Sequence, residues 1–202
     1  MSDIYAPPQS SINGPTPAQK AAKETGLFPV ATVGQRIGAA FLEFVVWLPL
    51  LGLQALLNNI SNTLDVVCMV LYQVIVLLIF VGMVRVFGGT PGKLILGLRV
   101  VMLDRTAATW KASLLRYSVY GALGAVMCTG QVIARLNVAN DYMSLDYLSR
   151  SMALQAQTPW WVMLVTGLTF LWLVACFISM LTNKQHRTLY DFQAGTVVVS
   201  TR

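Results

Sequence analysis

The chain has 202 residues, of which 56% are apolar and only 11% are charged, and its formal net charge is +6. A typical soluble domain has roughly 25% charged residues, so this composition excludes a disordered chain and argues against a water-soluble globular domain. The positive charge does not point to a nucleic-acid partner, because the basic residues sort by side of the apolar segments. The composition therefore indicates an integral membrane protein.

The first 30 residues differ in composition from the rest of the chain. They mix prolines and Gly14 with Ser, Gln and Thr, and no apolar face repeats in them. A basic start followed by an apolar run and a small-residue cleavage site is not found, so we do not expect a cleaved signal peptide. We predict a disordered cytoplasmic tail over residues 1–30 and a membrane domain over residues 31–202.

Four apolar segments approach the roughly 20 residues that a helix needs to cross a bilayer. Pro49 is expected to kink the first of them, and Trp160 and Trp161 open the fourth as an interfacial anchor. The predicted fold is therefore an all-α integral membrane protein with four transmembrane helices. The predicted spans are residues 37–57, 66–87, 112–134 and 160–181.

The distribution of Lys and Arg predicts the orientation. With the N-terminus inside, twelve basic residues fall on the cytoplasmic side or at adjoining helix ends, and only Arg135 and Arg150 fall outside. We expect both termini in the cytoplasm and the chain in a bacterial cytoplasmic membrane. The outer loop, residues 136–158, has apolar residues at roughly helical spacing, which favours an interfacial helix on the outer leaflet. Gating of a substrate by this loop is the alternative.

Two segments on the cytoplasmic side have the composition of β-strands. Residues 98–103 are rich in β-branched side chains and end at a polar, turn-like step, and residues 195–200 have the same character. Because the topology places both on one side of the membrane, we predict that they pair as a small antiparallel cytoplasmic β-ribbon. This ribbon would tie the C-terminus to the loop between the second and third helices.

The sequence offers no constellation typical of an enzyme. Residues 88–93 resemble a phosphate-binding loop only loosely, because the spacing of glycines is wrong and Leu94 follows Lys93 where Ser or Thr is needed. Lys93 is expected to meet anionic headgroups instead. His186 is the single histidine, with a solvated position favoured over proton sensing, and the three cysteines lack metal-ligand spacing. We expect no enzymatic activity, metal or cofactor.

Charged residues within the spans are the strongest candidates for function. A charge at membrane depth is costly, so it usually faces the bundle interior and has a partner. Glu43 lies seven residues, roughly 10 Å, past Arg36, and Arg116 lies at a similar depth in the third span. We therefore predict an interhelical Glu43–Arg116 pair, with Arg36 at the rim within reach of Asp191.

Three roles remain open for these four residues. The pairs could hold the helices in register. Glu43 could instead bind a proton, or a cation in alternation with a proton, while Arg116 and Asp191 tune its pKa. Binding of a partner or of lipid is the third role.

Three separated blocks of the sequence resemble the RDD family, membrane proteins named for one arginine and two aspartates. Arg36 begins the first span, and Glu43 stands seven residues later where aspartate is usual. Asp191 would be the second aspartate, and Tyr190 occupies a position where histidine is common. The matching blocks are residues 35–43, residues 89–93 with 97–101, and residues 187–198.

The resemblance implies a membrane-spanning fold and points to ion transport, since cation/proton antiport has been proposed for some members. We expect cation or proton handling, with Na⁺, K⁺, Li⁺ or H⁺ as the ion and the lipid bilayer as the surroundings. Four spans are few for a monomeric transporter, so we expect a homo-oligomer with contacts such as residues 121–125 at its seam. The alternative is a membrane scaffold or assembly factor that binds a protein partner or lipid.

Overall fold

A computed structural model describes residues 28–57, 60–138 and 142–201. Residues 1–27 of the predicted disordered tail lie outside the described residues. Four long helices dominate the described part of the chain, and each is long and apolar enough to cross a membrane. They are α1 (Val33–Leu57), α2 (Asn62–Phe87), α4 (Trp110–Asn137) and α6 (Trp160–Thr182). Each contains one predicted span, and α1 continues through Pro49. The predicted four-helix membrane fold is confirmed.

Short elements lie between the long helices and after the last one. They are three α-helices, a 3₁₀ helix and two strands: α3 (Pro91–Ile95), α5 (Tyr147–Gln157), α7 (Leu189–Ala194), the 3₁₀ helix Tyr142–Ser144, β1 (Leu98–Met102) and β2 (Thr196–Ser200). The strands pair antiparallel in a register that runs from Leu98 opposite Ser200 to Met102 opposite Thr196. The predicted ribbon between the C-terminus and the loop after the second long helix is therefore confirmed.

The segment just before α1 also pairs with β2, a contact that was not predicted. Val30 forms an isolated bridge with Val199, the Ala31 amide donates to the carbonyl of Val198 at 2.9 Å, and the Ser200 amide donates to the carbonyl of Pro29 at 3.0 Å. The last residues assigned to the tail, 28–30, thus belong to the fold. Their backbone groups form hydrogen bonds with the edge of β2 that does not pair with β1. Buried backbone amides and carbonyls are costly to leave without hydrogen bonds.

These segments form one layer across one end of the bundle, which we call the end layer and define as residues 28–32, 88–107 and 187–201. Fully buried side chains of Leu98, Val100 and Val198 make its core, together with Ala31 and Val84. The layer joins the start of α1, the end of α2, the start of α4 and the end of α6. It therefore fixes those four helix ends relative to one another.

Glycine allows a close helix approach between α2 and α4. A Cβ atom at Gly124 would lie 2.7 Å from Nε2 of Gln73, and one at Gly121 would lie 3.5 Å from a methyl group of Leu77. Both glycines thus face α2 of the same chain, whereas Ala122 and Ala125 are exposed. Only the exposed part of the predicted seam is left for a second copy, and the homo-oligomer stays a prediction.

The opposite end of the bundle holds a second polar cluster. Nε of Arg135 pairs with Oδ2 of Asp65 at 2.5 Å, Asn62 donates to the carbonyl of Arg135 at 2.8 Å, and the Tyr142 hydroxyl donates to Asn62 at 2.9 Å. This cluster ties together α2, α4 and the start of the loop between α4 and α6. The helix predicted in that loop is present as α5, with Asp146 as its N-cap.

Candidate functional site

The carboxylate of Asp191 lies at the centre of the end layer, where two arginines from different long helices meet it. Nη1 of Arg36, in the first turn of α1, lies 2.7 Å from Oδ2 of Asp191. Nη1 of Arg116, from α4, pairs with the other oxygen, Oδ1. All three side chains are buried. The contact predicted between Arg36 and Asp191 is present, and Asp191 also holds Arg116.

A capping box at the start of α7 fixes the position of this carboxylate. Asp191 is the third residue of α7, and its Oδ2 accepts from the amide of Thr188 at 3.1 Å and from the Thr188 hydroxyl at 2.9 Å. A carboxylate at this position satisfies amide groups that a helix start leaves free. The Thr-x-x-Asp pattern is therefore the sequence signal for how Asp191 is held, and it is not among the motifs considered above.

Hydroxyl and guanidinium groups complete the surroundings of Asp191. The Thr196 hydroxyl accepts from Arg116 at 2.8 Å and donates to Oδ1 of Asp191 at 3.3 Å. Arg187 donates to the backbone carbonyls of Thr196 and Asp191 at 3.0 and 3.1 Å. The aromatic ring of Tyr190 lies 4.8 Å from the Arg116 guanidinium, a cation–π distance. No periodicity in the sequence could have singled out Thr196.

The charged neighbours decide the ionisation of Asp191. Burial alone would raise the pKa of this carboxyl, but the guanidinium groups of Arg116 and Arg36 and the hydrogen bonds from Thr188 outweigh it and lower the pKa to about 2. Burial also raises the pKa of the neighbouring Tyr190 phenol. Asp191 is therefore a fixed negative charge at neutral pH.

Glu43 does not pair with Arg116, so that part of the prediction is wrong. Among the described residues the ion pairs of Arg116 go to Asp191, and Oε2 of Glu43 instead accepts from the amide of Gly92 at 3.1 Å. The short helix α3 turns back against α1 and places this amide beside Glu43. Glu43 and Arg116 lie at similar depths along α1 and α4. Depth alone does not show in which direction around its helix axis each side chain points.

Glycine at position 92 is what allows this close approach. A Cβ atom there would meet the carbonyl oxygen of Ala39 and lie 2.6 Å from the amide nitrogen of Glu43. Real Cβ atoms do not approach backbone this closely, so any larger residue would displace α3 from α1. The Gly-Gly-Thr-Pro-Gly-Lys stretch thus serves helix packing, with Pro91 opening α3.

Several polar atoms of this cluster are buried without a hydrogen-bond partner in the described part of the chain. They are Oε1 of Glu43 and the Nε and Nη2 atoms of both Arg36 and Arg116. Lys93 lies beside them, is partly buried and donates to the Thr90 hydroxyl at 2.9 Å. Buried groups of this kind usually have partners. The Glu43 oxygen could therefore accept a proton or a cation, and the arginine nitrogens could donate to an anion.

The donor set of the described residues does not resemble a metal centre, since no three His, Cys, Asp or Glu side chains gather there. Cys68, Cys128 and Cys176 are free thiols. What the site offers is a buried network of charges that joins α1, α4 and the C-terminal segment.

Comparison with known proteins places this arrangement in a family. No curated protein and no solved structure matches the chain. The model of the RDD family matches residues 30–195, a range that contains Arg36, Glu43, Arg116 and Asp191. The chain belongs to the RDD family.

Proposed function

We propose that this membrane protein exchanges cations and protons at the carboxylate of Glu43. The observation that carries the proposal is the state of this side chain, which is only 8% exposed and has one oxygen, Oε1, without a hydrogen-bond partner in the described part of the chain. An unpartnered buried acceptor is costly, and a proton or a cation on Oε1 would remove that cost.

The two carboxylates of the network would have different roles. Asp191 accepts hydrogen bonds on both oxygens and pairs with two arginines, so it stays ionised and acts as a structural anchor. Glu43 accepts one bond from Gly92 and has no ion pair of its own among the described residues. Of the two, Glu43 is the group whose charge can change without dismantling the end layer.

The exchange would be a competition for one oxygen. When Glu43 is protonated, the O–H bond must break and the proton must pass to water before a cation can bind the carboxylate. Lys93 lies within electrostatic reach of Glu43, and its positive charge would lower the affinity of Glu43 for a cation and so help the bound cation to leave. Na⁺, K⁺ and Li⁺ are the cations to test first.

We also propose that the end layer faces the cytoplasm, so that both termini of the chain are cytoplasmic, and that the membrane is the bacterial cytoplasmic membrane. Residues 28 and 201 lie in the same layer at one end of the bundle. Most of the basic residues that the structure describes lie at this end, and the end rich in Lys and Arg is the one that normally stays inside. We also propose a homo-oligomer, because four spans are few for a monomeric transporter.

Proteoliposomes with an internal pH dye provide the test. A pulse of Na⁺, K⁺ or Li⁺ should move protons in vesicles that contain the wild type, and Glu43→Gln should abolish the signal while still eluting as a folded protein. Asp104→Asn is the matched control, because Asp104 lies in the exposed turn after β1 and bonds only locally to Thr106.

A wild-type signal that stays flat with every cation over a broad pH range would contradict the proposal. Glu43 would then be a structural group, and the alternative of a membrane scaffold or assembly factor would be favoured. In that case Glu43→Gln should lower stability or the recovery of a partner with no change in ion flux.

A further inference from the structure

A cavity of about 360 Å³ lies between α1, α6 and the end layer. Its polar wall is made by Arg36, Lys93, Thr188 and Tyr190. Its apolar wall is made by side chains of the two long helices, Ile37, Leu173, Cys176, Phe177 and Met180. The cavity thus has a polar side at the end layer and an apolar side in the membrane-spanning part of the bundle.

The polar side has an excess of positive charge. The cluster behind it has two acidic side chains, Glu43 and Asp191, and four basic ones, Arg36, Lys93, Arg116 and Arg187. Arg36 is only 8% exposed, and it uses one nitrogen on Asp191 while its Nε and Nη2 atoms have no partner in the described part of the chain. Buried guanidinium donors without partners favour an anion.

The apolar side is suited to acyl chains. Ile37, Leu173 and Phe177 are each about half exposed, at 48%, 51% and 47%. They line the cavity on α1 and α6, two helices that are long and apolar enough to cross a membrane. In a bilayer these exposed side chains contact lipid. The acyl chains of a lipid bound in the cavity would therefore lie beside them.

We propose that this cavity binds an anionic phospholipid, with the headgroup phosphate on Arg36 and Lys93 and the acyl chains between α1 and α6. Arg36 and Lys93 both line the cavity, and their guanidinium and ammonium groups can donate to one phosphate group together. The Thr188 and Tyr190 side chains border the same wall. The lipid site shares Lys93 with the proposed exchange but does not use Glu43, whose side chain does not line the cavity.

Charge complementarity is what selects this occupant. A zwitterionic lipid would bring a second positive group to a wall that already has excess positive charge, whereas a phosphatidylglycerol headgroup brings only the phosphate charge. A soluble phosphate would satisfy the arginine and lysine but would leave the apolar wall empty. The combination of both walls favours a lipid over a free anion.

Native mass spectrometry of the full chain in detergent tests the proposal with two lipids that have the same acyl chains. Phosphatidylglycerol should bind about tenfold more tightly than phosphatidylcholine, the effect expected when one charge-assisted hydrogen bond is gained. Lys93→Gln should remove most of this preference. Lys111→Gln is the matched control, because Lys111 is an exposed lysine at the start of α4, away from the cavity, and it should leave the preference unchanged.

Two further variants keep the test independent of folding and of the proposed exchange. Ala40→Phe puts a ring into the cavity, where Ala40 forms part of the lining, and should weaken binding of both lipids without changing any charge. Glu43→Gln should abolish ion flux yet retain the lipid preference. Failure of the lipid proposal is thus distinguishable from failure of the exchange proposal.

The direct binding measurements can overturn the proposal in three ways: equal affinity of the wild type for the two lipids, the same preference in Lys93→Gln as in Lys111→Gln, or unchanged lipid binding in Ala40→Phe. Inorganic phosphate and glycerol phosphate are added as competitors to separate the two sources of phosphate. If either displaces phosphatidylglycerol at an equal concentration, the site binds a soluble anion and the lipid proposal is wrong.

Discussion

Arg36 and Asp191 lie 155 residues apart in the sequence and form an ion pair of 2.7 Å in the buried end layer. The pair joins the first turn of the first long helix to the segment that follows the last one. Because Arg116 meets the same carboxylate from α4, one aspartate connects three separate parts of the chain. The C-terminal segment is thus a structural component of the helical bundle.

Replacing this aspartate should therefore destabilise the protein. Asp191→Asn removes the charge that two buried guanidinium groups share, and breaking a buried pair by removal of one partner costs about 3–5 kcal/mol. We expect a clear fall in the free energy of unfolding measured in detergent. Asp104→Asn, in an exposed turn, should change it little, and equal stability of the two variants would contradict the anchor role of Asp191.

Because the pKa of Asp191 is lowered in the folded protein, the free energy of unfolding should depend on pH in the acid range. The pKa of Asp191 is about 2 in the folded protein and has an ordinary value of 3.8, so the unfolded chain takes up this proton first as the pH falls. The stability that ionised Asp191 provides is complete above about pH 4 and is lost as the pH falls through about 2. Unfolding midpoints of the wild type and Asp191→Asn, measured from pH 6 to pH 2, should converge in acid. A constant difference across that range would contradict this prediction.

Gly92 should tolerate no side chain. Gly92→Ala places a methyl group against the α1 backbone at Ala39 and Glu43, which forces α3 outward at a cost of about 1–3 kcal/mol. Thermal unfolding in detergent measures the effect. Gly82→Ala is the control, since a Cβ atom there meets nothing within 4 Å. Equal stability of Gly92→Ala and Gly82→Ala would show that α3 does not pack closely on α1.

The proposed orientation can be tested with single cysteines in a chain whose three native cysteines are replaced by alanine. Asp104→Cys lies in the exposed turn of the end layer, and Gln157→Cys lies at the end of α5, at the opposite end of the bundle. A thiol reagent that does not cross membranes should label Gln157→Cys in intact cells and Asp104→Cys only after lysis. The reverse pattern would place the end layer outside the cytoplasm.

The sequence could predict those features that depend on composition and on the side of the membrane. The four helices follow from apolar length, and the pairing of β1 with β2 follows from two β-branched segments on one side. The Arg36–Asp191 pair also follows from side and depth. The partner of Glu43 could not be predicted in this way. Depth along α1 does not give the direction in which a side chain points around the helix axis, and the Glu43 side chain points toward α3, where the Gly92 amide donates to it.

Two other features have only local signals or none. The capping box of Thr188 and Asp191 is readable as Thr-x-x-Asp, but only when the start of α7 is recognised first. The pairing of Val30 with Val199 has no signal in the sequence, because residues 28–31 show no alternation of apolar and polar side chains and include Pro29. It follows from an edge of β2 that becomes visible only in the folded chain.

The most direct test of exchange at Glu43 is proton release on cation binding. Protein in detergent and a weak buffer with a pH dye is titrated with Na⁺, K⁺ or Li⁺. We predict that the wild type and Asp104→Asn release protons in proportion to the cation bound, and that folded Glu43→Gln releases none, because one carboxylate oxygen cannot hold both ions. Release that is equal in the wild type and Glu43→Gln, or absent from both at every pH, would contradict the proposed function.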